Sequence, residues 1–247
     1  MNKLLIVVFM LSADWVFGQD NPEIPAIKPR EQIVHHKFYT LSYIEGYELA
    51  SWVAYELTSE EAKATMDYKV KYQADPLIST GSATLKDYRK SGFILAQLAP
   101  VEDMMFSEEA IEESFYLSNI VPQKPAFSKY TWNKLNNLVR AWAKQSGSLY
   151  IVSGPVLADA PFPTFGPDKV SIPSRFFKVV LDMKNQRGIG FVLKNNITTG
   201  SLKPYAMSVD MVEEITGIDF FPSLPDDQEK NIESHFDTSA WNFELPE

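Results

Sequence analysis

The run Ser91-Gly92-Phe93-Ile94-Leu95-Ala96-Gln97-Leu98-Ala99-Pro100-Val101-Glu102-Asp103-Met104 carries the most information about chemistry in this chain. Its middle, Ile94-Leu95-Ala96-Gln97, is apolar apart from one amide, and an amide cannot usefully accept a proton. Side chains suited to proton abstraction near neutral pH are few. The chain has three histidines, His35, His36 and His235, and imidazole is the group whose ordinary pKa fits that work. The His35-His36 pair reads as structural, and His235, set among acids, as a solvated side chain. Cysteine is absent, which excludes disulfides and thiolate metal sites. No P-loop, dinucleotide fingerprint or internal repeat is present.

The flanks of this run resemble the active-site strand of the DNA/RNA non-specific endonucleases, the ββα-metal nucleases. Further segments follow in the order that family has: His36–Tyr43, Trp52–Leu57, Asp75–Ala83, Glu113–Gln123, Trp132–Leu135, Val152–Leu157 and Thr216–Pro222. Together they cover roughly 200 residues, and their shared order makes the resemblance specific where any one would be weak. It implies an α+β fold of the ββα-metal (His-Me finger) kind, with a central antiparallel sheet and flanking helices.

The resemblance also implies roles for individual positions. Cutting a phosphodiester needs an activated water, neutralised phosphate charge and help for the leaving oxygen. The family's Asp-Arg-Gly-His falls on Ile94, Leu95, Ala96 and Gln97. The base position is therefore Gln97, and the arginine that would meet the phosphate is Leu95. Spacing from Ser118-Asn119-Ile120 places the family's metal-ligating Asn at Ser128 and its water-orienting Glu at Asn136. Asn119, their neighbour, keeps its identity. These replacements imply loss of the catalytic set: no catalytic residue and no metal ligand is expected, and no cofactor, Mg²⁺ entering only if the chain is active after all.

Composition points the same way. Net charge is −9 and the isoelectric point about 5.0, whereas proteins that hold nucleic-acid backbones usually carry clustered Lys and Arg. The richest basic set, Lys86, Arg89 and Lys90 with Lys69 and Lys71, reads as a solvated edge. Residues 226–247 hold Asp226, Asp227, Glu229, Glu233, Asp237, Glu244 and Glu247 against Lys230, which would repel a polyanion.

At the amino terminus, Lys3 precedes the apolar run Leu4–Leu11, with Val16 and Gly18 as small residues before a cut at Gln19. This reads as a signal peptide, too short for the ~20 residues that span a bilayer. The expected organisation is residues 1–18 signal peptide, 19–34 Pro-rich loose leader, 35–224 nuclease-like domain and 225–247 acidic tail. With 247 residues and 45% hydrophobic content, one domain can bury a sizeable core. Strand-length runs occur at Phe38–Tyr43, Leu149–Val152, Phe176–Leu181 and Gly188–Leu193. Ser107 and Ser208 are helix caps, and the recurrence of Trp132, Leu135, Leu138, Val139 and Trp142 predicts a helix over Thr131–Lys144.

These readings lead to an expectation of an exported bacterial protein, periplasmic, outer-membrane-associated or extracellular. It would be a catalytically inactive nuclease fold serving as a binding or structural subunit of a cell-envelope assembly. A protein partner is expected and nucleic acid is not. The alternative is an active metal-dependent DNA/RNA non-specific endonuclease with a rearranged site.

Overall fold

The computed structural model describes residues 21–29 and 31–244; the signal-peptide expectation lies outside them. Among the described residues, eleven strands and six α-helices follow in chain order. The first strands are β1 (Gln32–His35), β2 (Thr40–Ile44) and β3 (Leu49–Thr58). Helix α1 (Leu85–Tyr88), strand β4 (Ile94–Gln97), helix α2 (Glu108–Ser114) and strand β5 (Ile120–Gln123) come next. Helices α3 (Pro125–Phe127) and α4 (Asn133–Ser146) then lead to β6 (Ser148–Pro155). Short strands β7 (Thr164–Phe165) and β8 (Val170–Ser171) precede β9 (Arg175–Asp182), β10 (Arg187–Lys194) and β11 (Ala206–Met207). Helices α5 (Val209–Thr216) and α6 (Asp226–Ser234) close the chain. No helix among the described residues is long and apolar enough to cross a membrane.

Seven strands form one antiparallel sheet in the order β1-β2-β3-β6-β9-β10-β11. Side chains alternate between faces, so each inner strand supplies two cores. Along β3, Val53, Tyr55 and Leu57 face one core while Trp52 and Ala54 face the other. The first core is covered by α4 and by β4–β5, a separate antiparallel pair in which Ile94 opposes Gln123 and Gln97 opposes Ile120. The second is covered by α5 and α6 through Val209, Val212 and Ile232. Two strands followed by a helix on one face of an antiparallel sheet match the expected α+β architecture.

Both ends expected to lie outside the domain pack against it. In the Pro-rich leader, Ile24 joins the second core and Ala26 N–H donates to Asp219 O at 2.9 Å. Residues 32–34 belong to β1, whose register runs from Gln32 opposite Tyr43 to His35 opposite Thr40. The apolar Ile24 and Ile33 give this segment something to bury, which its prolines concealed. In the acidic tail, α6 buries Ile232, and Trp241 packs on Trp142 with ring centroids 4.8 Å apart. Asp226, Asp227, Asp237 and Glu244 are exposed on the outer side of this segment, whereas Glu233 is buried.

Close approach of α5 to the sheet requires Gly190. A Cβ there would lie 2.3 Å from Val212 Cγ2, well inside contact distance. Gly190→Ala is therefore expected to cost about 1–3 kcal/mol through overpacking, lowering Tm by about 2–10 °C. Adding Val212→Ala should recover part of the loss. A melting curve unchanged by Gly190→Ala would contradict this packing.

Candidate active site

Residues from β4, the turn after it and the start of α4 enclose a cleft of about 160 Å³. Ile94, Leu95, Ala96 and Gln97 form one wall, Ser128, Trp132, Asn133 and Asn136 the other, with Pro100 and Glu102 between them. The structure thus brings together the sequence-predicted positions Ile94, Leu95, Gln97, Ser128 and Asn136.

The helical wall depends on a local irregularity. Pro125 opens the helix at its first turn, where its missing N–H costs nothing. Ser128–Trp132 is then a π-turn before α4 begins at Asn133. The predicted helix over Thr131–Lys144 therefore starts two residues later as α-helix, because the wider turn intervenes. Such turns are frequent at functional sites. Ser128, Trp132 and Asn136, four apart, share the stripe that faces the cleft. Leu135, Leu138 and Val139 carry the packing into the first core.

Gln97 is committed to structure. Its Nε2 donates to Ser114 O at 2.8 Å and Ser114 Oγ at 3.1 Å, and its Oε1 accepts from Val101 N–H at 3.0 Å. Asn119 is fully buried and equally occupied. Its Oδ1 accepts from Ala99 N–H at 2.9 Å, and its Nδ2 donates to Ala99 O at 2.9 Å and to Ser114 O at 2.8 Å. Ile94 stays 42% exposed at the rim rather than collapsing into the core, whereas Leu95 packs against the first core.

Two features of the cleft were not singled out in the sequence. Glu102 lies in the 3₁₀ turn Val101–Asp103, started by Pro100. Its neighbour Asp103 is buried, pairs with Arg140 Nε at 2.7 Å and accepts from Tyr55 Oη at 2.7 Å. Successive side chains of a 3₁₀ turn point about a third of a turn apart, so anchoring Asp103 inward leaves Glu102 exposed on the cleft. It is the one charged side chain among the described residues that line it. The available signal was a carboxylate five residues after Gln97. The other feature is Asn136 Oδ1, a buried acceptor with no hydrogen-bond partner among the described residues. An orphaned buried acceptor costs about 1–3 kcal/mol, which a hard cation would offset. Asn136 Oδ1, Ser128 Oγ, Asn133 Oδ1 and the Glu102 carboxylate are oxygen donors of the type that Mg²⁺ prefers, so the residues present fit such an ion.

The histidines lie elsewhere. His36 Nε2 hydrogen-bonds Asp75 Oδ2 at 2.9 Å, and its ring stacks on Tyr116. Burial opposes ionisation of Asp75, but hydrogen bonds from His36 and Ser118 outweigh it and hold its pKa below the usual carboxylate value. His35 contacts Thr40, and His235 is the exposed residue ending α6. Lys69, Lys71, Lys86, Arg89 and Lys90 are all exposed, Lys71 facing Glu112.

Behind the helical wall sits Lys178, in register opposite Ser153 and hydrogen-bonded to its hydroxyl. Its Nζ lies 5.1 Å from the Trp132 ring centroid. Strand alternation places Lys178 on the same face as Phe176 and Val180, inside the first core. Burial pushes its pKa down to about 7, with Asp103 partly opposing the fall.

A family model described as DNA/RNA non-specific endonuclease matches residues 25–227. Mitochondrial nuclease EXOG of Danio rerio is 31% identical over 213 residues, covering 78% of this chain and 62% of that protein. Nuclease C1 of Cunninghamella echinulata var. echinulata is 30% identical over 210 residues, covering 75% of this chain and 81% of that protein. Human mitochondrial endonuclease G is 26% identical over 221 residues, covering 82% and 72%. In the crystal structure of the EndoG/EndoGI complex, one chain superposes with a TM-score of 0.76 at 24% identity, covering 85% of this chain and 93% of that one. The fold is therefore the EndoG-like ββα-metal nuclease fold.

These findings overturn the expectation of a non-enzymatic envelope subunit, because the relatives are named as nucleases. The expectation weighed each position against one fixed recipe. It took no account of Glu102 or of an oxygen left unpaired at Asn136.

Lys178 offers a check on the packing behind the cleft. Its folded-state pKa is lowered, so between pH 7 and about 10 the unfolded chain binds the extra proton and the folded chain does not. Stability then rises with pH across that window; below pH 7 the burial penalty is fully present. Tyr43 and Tyr55, whose pKa values burial raises, act in the opposite direction above pH 10. In urea unfolding, the wild type is expected to gain on Lys178→Met as pH rises from 7 to 10. A constant difference between the two would contradict the burial of an uncharged amine.

Proposed function

Because this chain belongs to the DNA/RNA non-specific endonuclease family, we propose that it is a metal-dependent nuclease acting on DNA and RNA through a rearranged site. The observation that carries the reading is the cleft itself. It places a free carboxylate, Glu102, and a partnerless amide oxygen, Asn136 Oδ1, beside the positions the family uses. A nucleic-acid strand takes the place of a protein partner as the proposed ligand.

In this reading Asn136, Ser128 and Asn133, which line the helical wall, would hold the divalent cation. When bound, the ion offsets phosphate charge and lowers the pKa of the attacking water. Glu102 accepts a proton from the attacking water as the water oxygen bonds to phosphorus and the bond to the leaving sugar oxygen breaks, and that oxygen takes its proton from solvent. The products are a phosphate monoester and an alcohol. Gln97 takes no proton; its three hydrogen bonds hold the turn that aims Glu102. Ile94 and Leu95 keep the far wall apolar, so the ion carries the phosphate neutralisation.

The reading is tested by incubating the protein with plasmid DNA and with RNA in Mg²⁺ or Mn²⁺. Cleavage is expected, and EDTA should abolish it. Glu102→Gln and Asn136→Ala should each slow it by about 10²-fold or more, the usual scale for a general base. No cutting by the wild type, or cutting indifferent to both substitutions, would reject this site. Because no Lys or Arg is among the cleft-lining residues, few phosphates are neutralised by the protein. Log affinity for DNA should then fall with log salt at a slope shallower than about −2. A slope of −5 would reveal a basic track elsewhere.

A further inference from the structure

On the opposite face of the sheet, three carboxylates converge where α6 packs on α5. Ligand oxygens of Asp210, Glu213 and Glu233 lie within 4.8 Å of one another. Acids alone make no site, but Glu233 adds a separate observation. It is 6% exposed, and its Oε1 has no hydrogen-bond partner among the described residues. Burial, with the added charges of Glu213, Glu229, Asp210 and Asp219, pushes its pKa up to about 9. Glu213 is raised as well, chiefly by burial, although Phe220 N–H donates to its Oε1 at 2.7 Å. A partnerless buried acid facing two further carboxylates has two physical resolutions, a retained proton or a bound cation.

We propose that Asp210, Glu213 and Glu233 form a calcium site that fastens α6 to α5. Calcium takes six to eight oxygen ligands at about 2.4 Å, so opposite ligands stand about 4.8 Å apart, the span within which these oxygens lie. Magnesium dehydrates reluctantly and is usually held by one or two carboxylates, which three convergent acids do not suit. Asp210 is exposed and Glu213 half-buried, leaving the outer side for water ligands. Ile232, beside Glu233, is buried in the second core, so an ion held by Glu233 would tie the amino-terminal part of the acidic tail to the domain. The site is independent of the cleft and of the proposed nuclease activity.

The test is a thermal melt of the full chain, stripped with chelator and titrated with calcium to about 10 mM. A rise of about 5–10 °C is expected at calcium a hundredfold above its Kd. Glu233→Gln, which keeps the shape of the protonated acid, should melt no lower than the calcium-free wild type and should lose the calcium response. Asp210→Asn, at an exposed position, should weaken the response at least tenfold in calcium concentration. Asn136→Ala should leave it unchanged, separating this site from the cleft. A wild-type Tm unmoved by calcium, or a shift that Glu233→Gln retains in full, would overturn the proposal in favour of a retained proton.

Discussion

The cleft takes its shape from the hydrogen bonds that Asn119 makes with no exposure to solvent. One amide spans both backbone groups of Ala99 and the carbonyl of Ser114. Gln97 reaches the same carbonyl from the other side and takes Val101 N–H on its own oxygen. The end of β4, the end of α2 and the entry to β5 are thereby tied at one point. Ser114 closes α2, where carbonyls lack helical partners and need side chains to satisfy them. The Asn119 bonds are shielded from water, where an unmade bond costs more than a made one gains. The backbone from residue 97 to 103 is therefore fixed, and the strand-and-turn wall of the cleft follows from it.

That constraint explains why chemistry at this site cannot rest on Gln97 and where it can rest instead. A side chain holding three bonds is unavailable to substrate. The same fixed turn sends Asp103 inward to Arg140 and Tyr55 and leaves Glu102 outward. Opposite, the π-turn at Ser128–Trp132 sets the phase of α4, so that Asn133 and Asn136 face the cleft. In the proposed activity, Glu102 on the turn takes the role that the resemblance assigns to position 97 on the strand. The second core, beneath α5 and α6, carries none of this.

Much of the fold was legible because it depends on pattern. The spacing of Leu135, Leu138, Val139 and Trp142 gave α4, and Ser107 and Ser208 capped helices as such residues do, accepting from Ala110 and Met211. The runs at residues 176–181 and 188–193 became the long central strands β9 and β10. What resisted reading depends on distance in space. Nothing in the order of residues shows that Lys178 lies under Trp132, or that Ile24 reaches the second core from beyond the prolines. The candidate site was half legible. Its family positions fell together as expected, but Glu102 became a cleft residue only through the anchoring of its neighbour. Reading each replacement as a loss led to an inactive protein, whereas the relatives point to a nuclease.

The proposed activity requires a divalent ion at the helical wall of the cleft. The most direct measurement is anomalous diffraction from crystals equilibrated with Mn²⁺, whose scattering marks its position independently of activity. A peak within bonding distance of Asn136 Oδ1, with Glu102 on the same side of the cleft, is the predicted result. A cleft without manganese, with Asn136 Oδ1 accepting a hydrogen bond from the protein, would contradict the central claim.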